Sequence, residues 1–168
     1  MLALASVAPA TATNHRHPNC LVTARHAVVF YRSATWRRQD DRLAPRTHSN
    51  YSERRTRSCT YTRWLGHRWY LRARAERTTA ERYESPFAAI RHVFGPYAGE
   101  AWEVAKCEGG SPVPSVNAQN GQYLGFFQMG DGERSRYGHS ETALGQAVAA
   151  HRYFAATGRS WRPWECKP

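Results

Sequence analysis

Glu108 is the residue whose type and position best fit acid–base chemistry. It ends a helix predicted over residues 97–108 and precedes two glycines. The apolar arc of that helix contains Tyr97, Ala101, Val104 and Ala105. Glu108 falls within this arc, whereas Glu100 and Glu103 fall on the side that normally meets solvent. Burial and the negative end of the helix dipole both disfavour a charged carboxyl group, and a protonated carboxyl can act as a general acid. The alternative is that the helix frays at Gly109 and leaves Glu108 in water.

No other set of residues has the spacing of a metal or redox centre. The cysteines are even in number and include no Cys-x-x-Cys pair, so zinc and thioredoxin-type chemistry are not expected. They are Cys20, Cys59, Cys107 and Cys166. An exported chain could pair them as disulfides. His139 and His151 lack partners at ligand spacing, which favours structural or surface roles. We therefore expect no metal and no cofactor.

The elements that must position Glu108 lie in residues 85–168, which are predicted to be mainly helical with a small hairpin or loop insert. Ser85 is a favoured N-cap residue and Pro86 suits the first helical position. Asn, Gly and aromatic residues alternate before Met129, as in a tight hairpin. In chain order, the expected elements are a short helix through Phe94, a helix over 97–108, a hairpin or loop over 115–129, and helices over 132–137 and 141–157.

Residues 1–84 carry most of the positive charge. The chain has 168 residues and a net charge of +11, and +10 of this charge belongs to residues 1–84. Apolar residues at helical spacing over 21–44 and 53–83, with a turn-rich break between them, predict an Arg-rich helical hairpin. Such a hairpin either packs on the later domain or lies on an anionic surface.

The net positive charge by itself is compatible with nucleic-acid binding, since cationic side chains neutralise phosphates. The chain contains no zinc-finger spacing, no RRM signature and no zipper after a basic region, so nucleic acid is not the expected partner. No apolar run reaches the roughly 18 residues that span a bilayer.

Residues 1–20 are interpreted as a disordered tail or as the remnant of an export signal truncated at the start codon, because Ala10-Thr11-Ala12 is a cleavage-like site without a preceding charged region.

Five sequence blocks in residues 85–168 occur together and in order. They are 93–108 (VFGPYAGEAWEVAKCE), 117–130 (NAQNGQYLGFFQMG), 136–139 (RYGH), 149–154 (AAHRYF) and 161–168 (WRPWECKP). In these blocks the chain resembles the transglycosylase-like domains of secreted actinobacterial proteins, members of the lysozyme-like superfamily. The resemblance implies a mainly α, α+β lysozyme-like fold.

The resemblance also implies roles for individual residues. Glu108 matches the catalytic general acid at the end of its helix. Gln128 matches the glutamine that follows the hairpin and faces the sugar cleft, and Tyr123 and Asn117 match positions lining that cleft. The alternative for Gln128 is an ordinary hydrogen bond within a loop.

Two further features of the resemblance concern the neighbours of Glu108. Cys107 and Cys166 match a disulfide that ties the catalytic helix to the C-terminal tail. The family usually has serine directly after the catalytic glutamate, whereas this chain has Gly109. That serine is thought to support the carboxyl group or the substrate, so its replacement puts full activity in doubt.

The number of carboxylates bears on the mechanism. Glycoside hydrolysis normally uses two carboxyl groups, whereas a lytic transglycosylase needs one. After Glu108 the remaining acids are Asp131, Glu133, Glu141 and Glu165. None lies in a motif that marks a second catalytic group, although Asp131 is the nearest candidate. The sequence therefore favours lytic cleavage over hydrolysis.

The predicted protein is a secreted or cell-wall enzyme, expected to be monomeric, that cleaves the MurNAc–GlcNAc bond of peptidoglycan through Glu108. Its expected partners are peptidoglycan strands and, through residues 21–84, anionic cell-wall polymers. One alternative is a non-catalytic cell-wall-binding module of the same fold. A less favoured alternative is a basic nucleic-acid-binding protein.

Overall fold

The computed structural model describes residues 20–50, 53, 57–110 and 112–168. The interpretation of residues 1–20 as a tail or signal remnant therefore lies outside the described residues, except at Cys20. The elements are α1 (Cys20–Asp41), α2 (Cys59–Arg82), α3 (Pro86–Phe94), a 3-10 turn (Gly95–Tyr97), α4 (Ala98–Gly109), β1 (Gln119–Asn120), β2 (Tyr123–Leu124), α5 (Asp131–Tyr137) and α6 (Ala143–Ala156). The protein is thus mainly helical with a small two-stranded antiparallel sheet, as the sequence predicts.

The helices begin and end at residues suited to those positions. The Ser85 side chain accepts a hydrogen bond from the Ala88 amide at 3.2 Å, and Pro86 occupies the first turn of α3. Thr142 caps α6 in the same way. Gly138 follows α5 with φ 113°, a left-handed conformation that glycine adopts without a steric penalty.

The main hydrophobic core lies between α3, α4 and α6. Phe94, Phe154 and Trp161 pack ring against ring in its centre. Trp161 and Trp164 are both buried, and the Trp164 indole donates a hydrogen bond of 3.0 Å to the carbonyl of Phe127. The C-terminal tail is therefore an integral part of the core rather than a loose end.

The prediction of a helical hairpin for residues 21–84 is wrong in one respect, because α1 and α2 run parallel to each other. A disulfide joins Cys20 to Cys59, the first residues of the two helices. At the other end, Arg42 forms an ion pair with Glu76 at 2.9 Å. Ends with the same polarity are therefore adjacent, whereas a hairpin would bring opposite ends together.

A long connection makes the parallel arrangement possible. Helix α1 is roughly 33 Å long at 1.5 Å per residue, whereas residues 42–58 can extend to roughly 55 Å. The connection turns back along α1, since Thr47 accepts a hydrogen bond from the Trp36 indole at 2.9 Å and the Arg32 guanidinium donates to Ser49 at 3.3 Å. Helix α2 then starts beside the start of α1.

A second, smaller core and a polar cluster hold α1 and α2 together. Val28, Leu65 and Trp69 are buried between them. Burial would raise the pKa of Glu76, but hydrogen bonds from Arg42 and Gln39 outweigh it and hold this pKa below its ordinary value. Arg42 and Gln39 therefore favour the charged form of the Glu76 carboxyl group between the two helices.

One end of the α1–α2 pair contacts the rest of the protein. The carbonyl of Asp41 accepts hydrogen bonds from Ser140 and Thr142, and the carbonyl of Leu43 accepts one from Arg152 at 2.7 Å. These contacts link the C-terminal end of α1 to the start and middle of α6.

Candidate functional site

The helix that carries Glu108 has the apolar face that the sequence predicts. Ala101, Val104 and Ala105 are completely buried, whereas Glu103 is exposed. Helix α4 continues through Gly109, so the predicted alternative of fraying at this residue does not occur. Glu108 is half-buried in the last turn.

A hydrogen bond fixes the Glu108 side chain to the C-terminal tail. The amide of Cys166 donates to Glu108 Oε1 at 3.0 Å. The disulfide between Cys107 and Cys166 is present, with a Cα–Cα distance of 5.9 Å, which confirms the predicted pairing. The disulfide thus holds the donor amide beside the carboxyl group that accepts from it.

Gly109 lies against the backbone of the hairpin segment. A Cβ atom at this position would lie 2.5 Å from the Cα and 2.8 Å from the carbonyl oxygen of Phe126. Phe126 is itself completely buried, so neither partner has room to move. A side chain at residue 109 would therefore force the backbone of α4 or of the hairpin segment to shift.

A cleft of about 720 Å³ opens beside Glu108. Two of the other predicted site residues, Tyr123 and Gln128, line the same cleft. The structure does not bring Asn117 to it. Asn117 is exposed and lines a separate cavity of about 300 Å³ together with His139 and Gln146.

Gln128 is held in a constrained conformation at the cleft. Its φ is 43°, an uncommon left-handed value for a residue other than glycine. Its side-chain amide donates to the carbonyl of Gly125 at 2.7 Å, so the loop hydrogen bond considered from the sequence is present. Its Oε1 atom is buried and has no hydrogen-bond partner among the described residues. Such an orphaned acceptor is costly, and constrained, unsatisfied groups are often found at functional sites.

The small sheet and α6 position the residues around Gln128. Asn120 pairs with Tyr123 across β1 and β2, and this pair places the exposed Tyr123 ring at the cleft. The Gln146 side chain accepts from the Phe126 amide at 3.1 Å and donates to the carbonyl of Val116 at 2.8 Å. Gln146 therefore ties both ends of the hairpin segment to α6.

Three further carboxyl groups line the cleft, and they differ in their surroundings. Asp131 is exposed and forms an ion pair with Arg134. Glu165 is exposed on the C-terminal tail. Glu133 is half-buried; a Cβ at Gly130 would lie 2.7 Å from Glu133 Oε2.

Sequence analysis missed two residues of the cleft. Glu133 was named only among the remaining acids, and Tyr153 was not singled out. Burial, together with the negative charge of Glu133, raises the pKa of Tyr153, so its hydroxyl group stays protonated near neutral pH. Tyr153 lies in the predicted helix 141–157, but only the packing of α6 on α5 shows that its ring reaches this cleft.

Comparisons with protein-family models, curated proteins and solved structures find no match. The resemblance to transglycosylase-like domains therefore rests on the five sequence blocks. Within the described ranges, no three His, Cys, Asp or Glu residues group as metal ligands. Over the same ranges, no helix combines the length and apolar character needed to span a membrane.

Proposed function

We propose that the protein cleaves the glycosidic bond between MurNAc and GlcNAc in peptidoglycan, with Glu108 as the general acid. The observation that carries this proposal is the half-buried Glu108 carboxyl group, fixed by the Cys166 amide at the edge of an open cleft. Fixing an acid in one orientation is what proton transfer to a bound substrate requires. The cleft volume is within the range of ligand sites in proteins, about 300–1,000 Å³.

The neighbours of Glu108 suit a sugar polymer. Gln128 lines the cleft in a constrained conformation, and glycan strands carry hydroxyl and amide groups that can form hydrogen bonds with polar side chains there. The exposed Tyr123 ring offers a face on which a pyranose ring can stack, and the protonated Tyr153 hydroxyl can donate. These polar groups and rings surround the acid.

The reaction needs one carboxyl group in two successive roles. Protonated Glu108 gives its proton to the glycosidic oxygen, and the bond from that oxygen to C1 of the muramic residue breaks. The resulting carboxylate takes the proton of the muramic 6-hydroxyl, whose oxygen bonds to C1 and closes an anhydro ring. Glu108 is protonated again at the end, and no water is consumed.

Hydrolysis would need a second carboxyl group in the cleft. Asp131, the candidate named from the sequence, is engaged by Arg134. The half-buried Glu133, beside Tyr153, has the more suitable surroundings for such a role. Under the lytic mechanism Glu133→Gln retains cleavage, whereas under hydrolysis with Glu133 as the second group this substitution abolishes it.

The experiment is dye release from labelled peptidoglycan by the wild type, Glu108→Gln and a control, Glu103→Gln. Glu103 lies on the exposed side of the same helix, where it forms an ion pair with Lys106. We expect release by the wild type and the control and almost none by Glu108→Gln. Unchanged release by Glu108→Gln would exclude Glu108 as the acid. Absence of release by the wild type, with retained pelleting on peptidoglycan, would favour the non-catalytic binding module.

The same proposal includes export to the cell wall and action as a monomer. Disulfides form and persist in oxidising compartments, and all four cysteines of the chain are paired. Peptidoglycan also lies outside the cytoplasm. The proposed substrate and the disulfides are therefore both consistent with a protein that acts outside the cytoplasm.

A further inference from the structure

The outer face of α2 carries an exposed apolar stripe. Tyr61, Trp64 and Leu71 are each more than two-fifths exposed. At 100° per residue they fall within an arc of about 80°, outside the arc that contains the buried Leu65 and Trp69. We define Tyr61, Trp64 and Leu71 as the α2 stripe.

Arginines border the α2 stripe on both sides. Arg68 lies within the arc of the stripe. Arg72 lies just beyond its Tyr61 edge, and Arg63 and Arg74 lie beyond its Leu71 edge. Residues 59–75 of α2 contain no acidic residue at all, and the first acid of the helix is Glu76. Among the described residues, Arg63 and Arg74 form no ion pair. The face is therefore both apolar and strongly cationic.

The stripe lies away from the contacts with the rest of the protein. Those contacts involve Asp41 and Leu43, at the far end of the α1–α2 pair. The stripe begins two residues after Cys59, at the end closed by the Cys20–Cys59 disulfide. This end of the pair can meet a flat partner without obstructing the cleft at Glu108.

We propose that the α2 face binds the surface of an anionic lipid bilayer. Tyr and Trp prefer the level of the lipid headgroups, and arginine stems can cover apolar surface while their guanidinium groups reach the phosphates. A cationic helix with a Trp- and Leu-containing apolar stripe has the composition of helices that lie in this interface. The inference concerns a different surface from the cleft and does not depend on the proposed enzymatic activity.

The ring contacts favour lipid over a stacked sugar or nucleobase. The Trp64 ring stacks on Tyr61 at 5.5 Å, and the Arg68 guanidinium lies over it at 4.9 Å. Tyr61 and Arg68 therefore both occupy ring surface of Trp64, whereas stacking on a sugar or base needs a free face.

The test is co-sedimentation of the full-length protein with vesicles of equal parts phosphatidylglycerol and phosphatidylcholine, compared with phosphatidylcholine alone. We expect binding to the anionic vesicles only. The double variant Arg63→Gln/Arg74→Gln should bind roughly 20- to 30-fold more weakly, at about 1 kcal/mol per cation. Trp64→Ser should weaken binding about tenfold.

The matched control is Val113→Ser, which removes an exposed apolar residue outside α1 and α2. It should bind like the wild type, and it and the arginine variant should unfold at the wild-type temperature because the altered residues are exposed. Absence of binding to anionic vesicles would overturn the proposal. Tight binding to soluble polyphosphate or duplex DNA that Trp64→Ser leaves unchanged would also overturn it, because the surface would then serve a polyanion rather than a bilayer.

Discussion

Substitution of Gly109 tests how closely α4 packs on the hairpin segment. A Cβ at residue 109 would lie 2.5 Å from the Cα of Phe126, and this contact involves backbone rather than a flexible side chain. Overpacking of a rigid site typically costs about 1–3 kcal/mol, and a contact this short belongs at the upper end of that range. For a chain of this size, 3 kcal/mol corresponds to a fall in Tm of roughly 6–12 °C.

The assay is equilibrium denaturant unfolding of Gly109→Ala and Gly109→Ser beside the control Gly99→Ala. Gly99 lies near the start of the same helix, and a Cβ built there has no atom within 4 Å. The control should be neutral or more stable by up to about 1 kcal/mol, since alanine favours the helix. Gly109→Ser, although it restores the serine typical of the family, should be less stable and no more active than the wild type. Wild-type stability of Gly109→Ala would refute the packing argument.

Three further predictions concern stability. Replacing Cys107 and Cys166 together by serine opens a loop with a sequence separation of 59, so the free energy of unfolding should fall by about 4 kcal/mol in denaturant titrations; an unchanged midpoint would show that the disulfide contributes nothing. Glu76→Gln removes the charge that Arg42 and Gln39 stabilise, and should cost about 1–2 kcal/mol at neutral pH. Because the pKa of Glu76 is lower in the folded state, this contribution should be lost as the pH falls below 4.5, so wild type and variant should converge in acid, and a constant difference would contradict the assignment. Burial and the charge of Arg159 lower the pKa of His151, so stability should fall as the pH drops below 6.5, and His151→Phe should remove that part of the pH dependence in thermal unfolding scans.

Local patterns in the sequence predict most of the helices and their ends. Ser85 and Pro86 act through neighbours within a few residues, so their effects can be read directly from the chain. The burial of Ala101 and the exposure of Glu103 follow from helical periodicity for the same reason.

The direction of α2 relative to α1 could not be predicted in this way. The periodic apolar residues of the two helices can pack in either relative direction, and a 17-residue connection permits both. The pairing of Cys20 with Cys59 would have decided between them, since each is the first residue of its helix. No spacing rule assigns that pair, because disulfide connectivity depends on which residues meet in space.

In the candidate site, too, some residues could be predicted from local patterns and others could not. Glu108 could be identified from the sequence because one short segment contains all three signals. These are its carboxyl side chain, its place on the apolar side of the helix and its position directly before Gly109. Glu133 on α5 and Tyr153 on α6 line one cleft, and Asn117 lies outside it because the hairpin segment turns it toward another cavity. These placements depend on how separate elements pack together, which local patterns do not contain.

Analysis of the product ends tests whether Glu108 cleaves glycan strands without water. Peptidoglycan digested in ¹⁸O-labelled water by the wild type and by Glu108→Gln would be examined by mass spectrometry. We predict unlabelled anhydro-muramyl ends from the wild type and no new ends from the variant. Labelled reducing ends from the wild type, or the same ends from Glu108→Gln, would contradict this prediction.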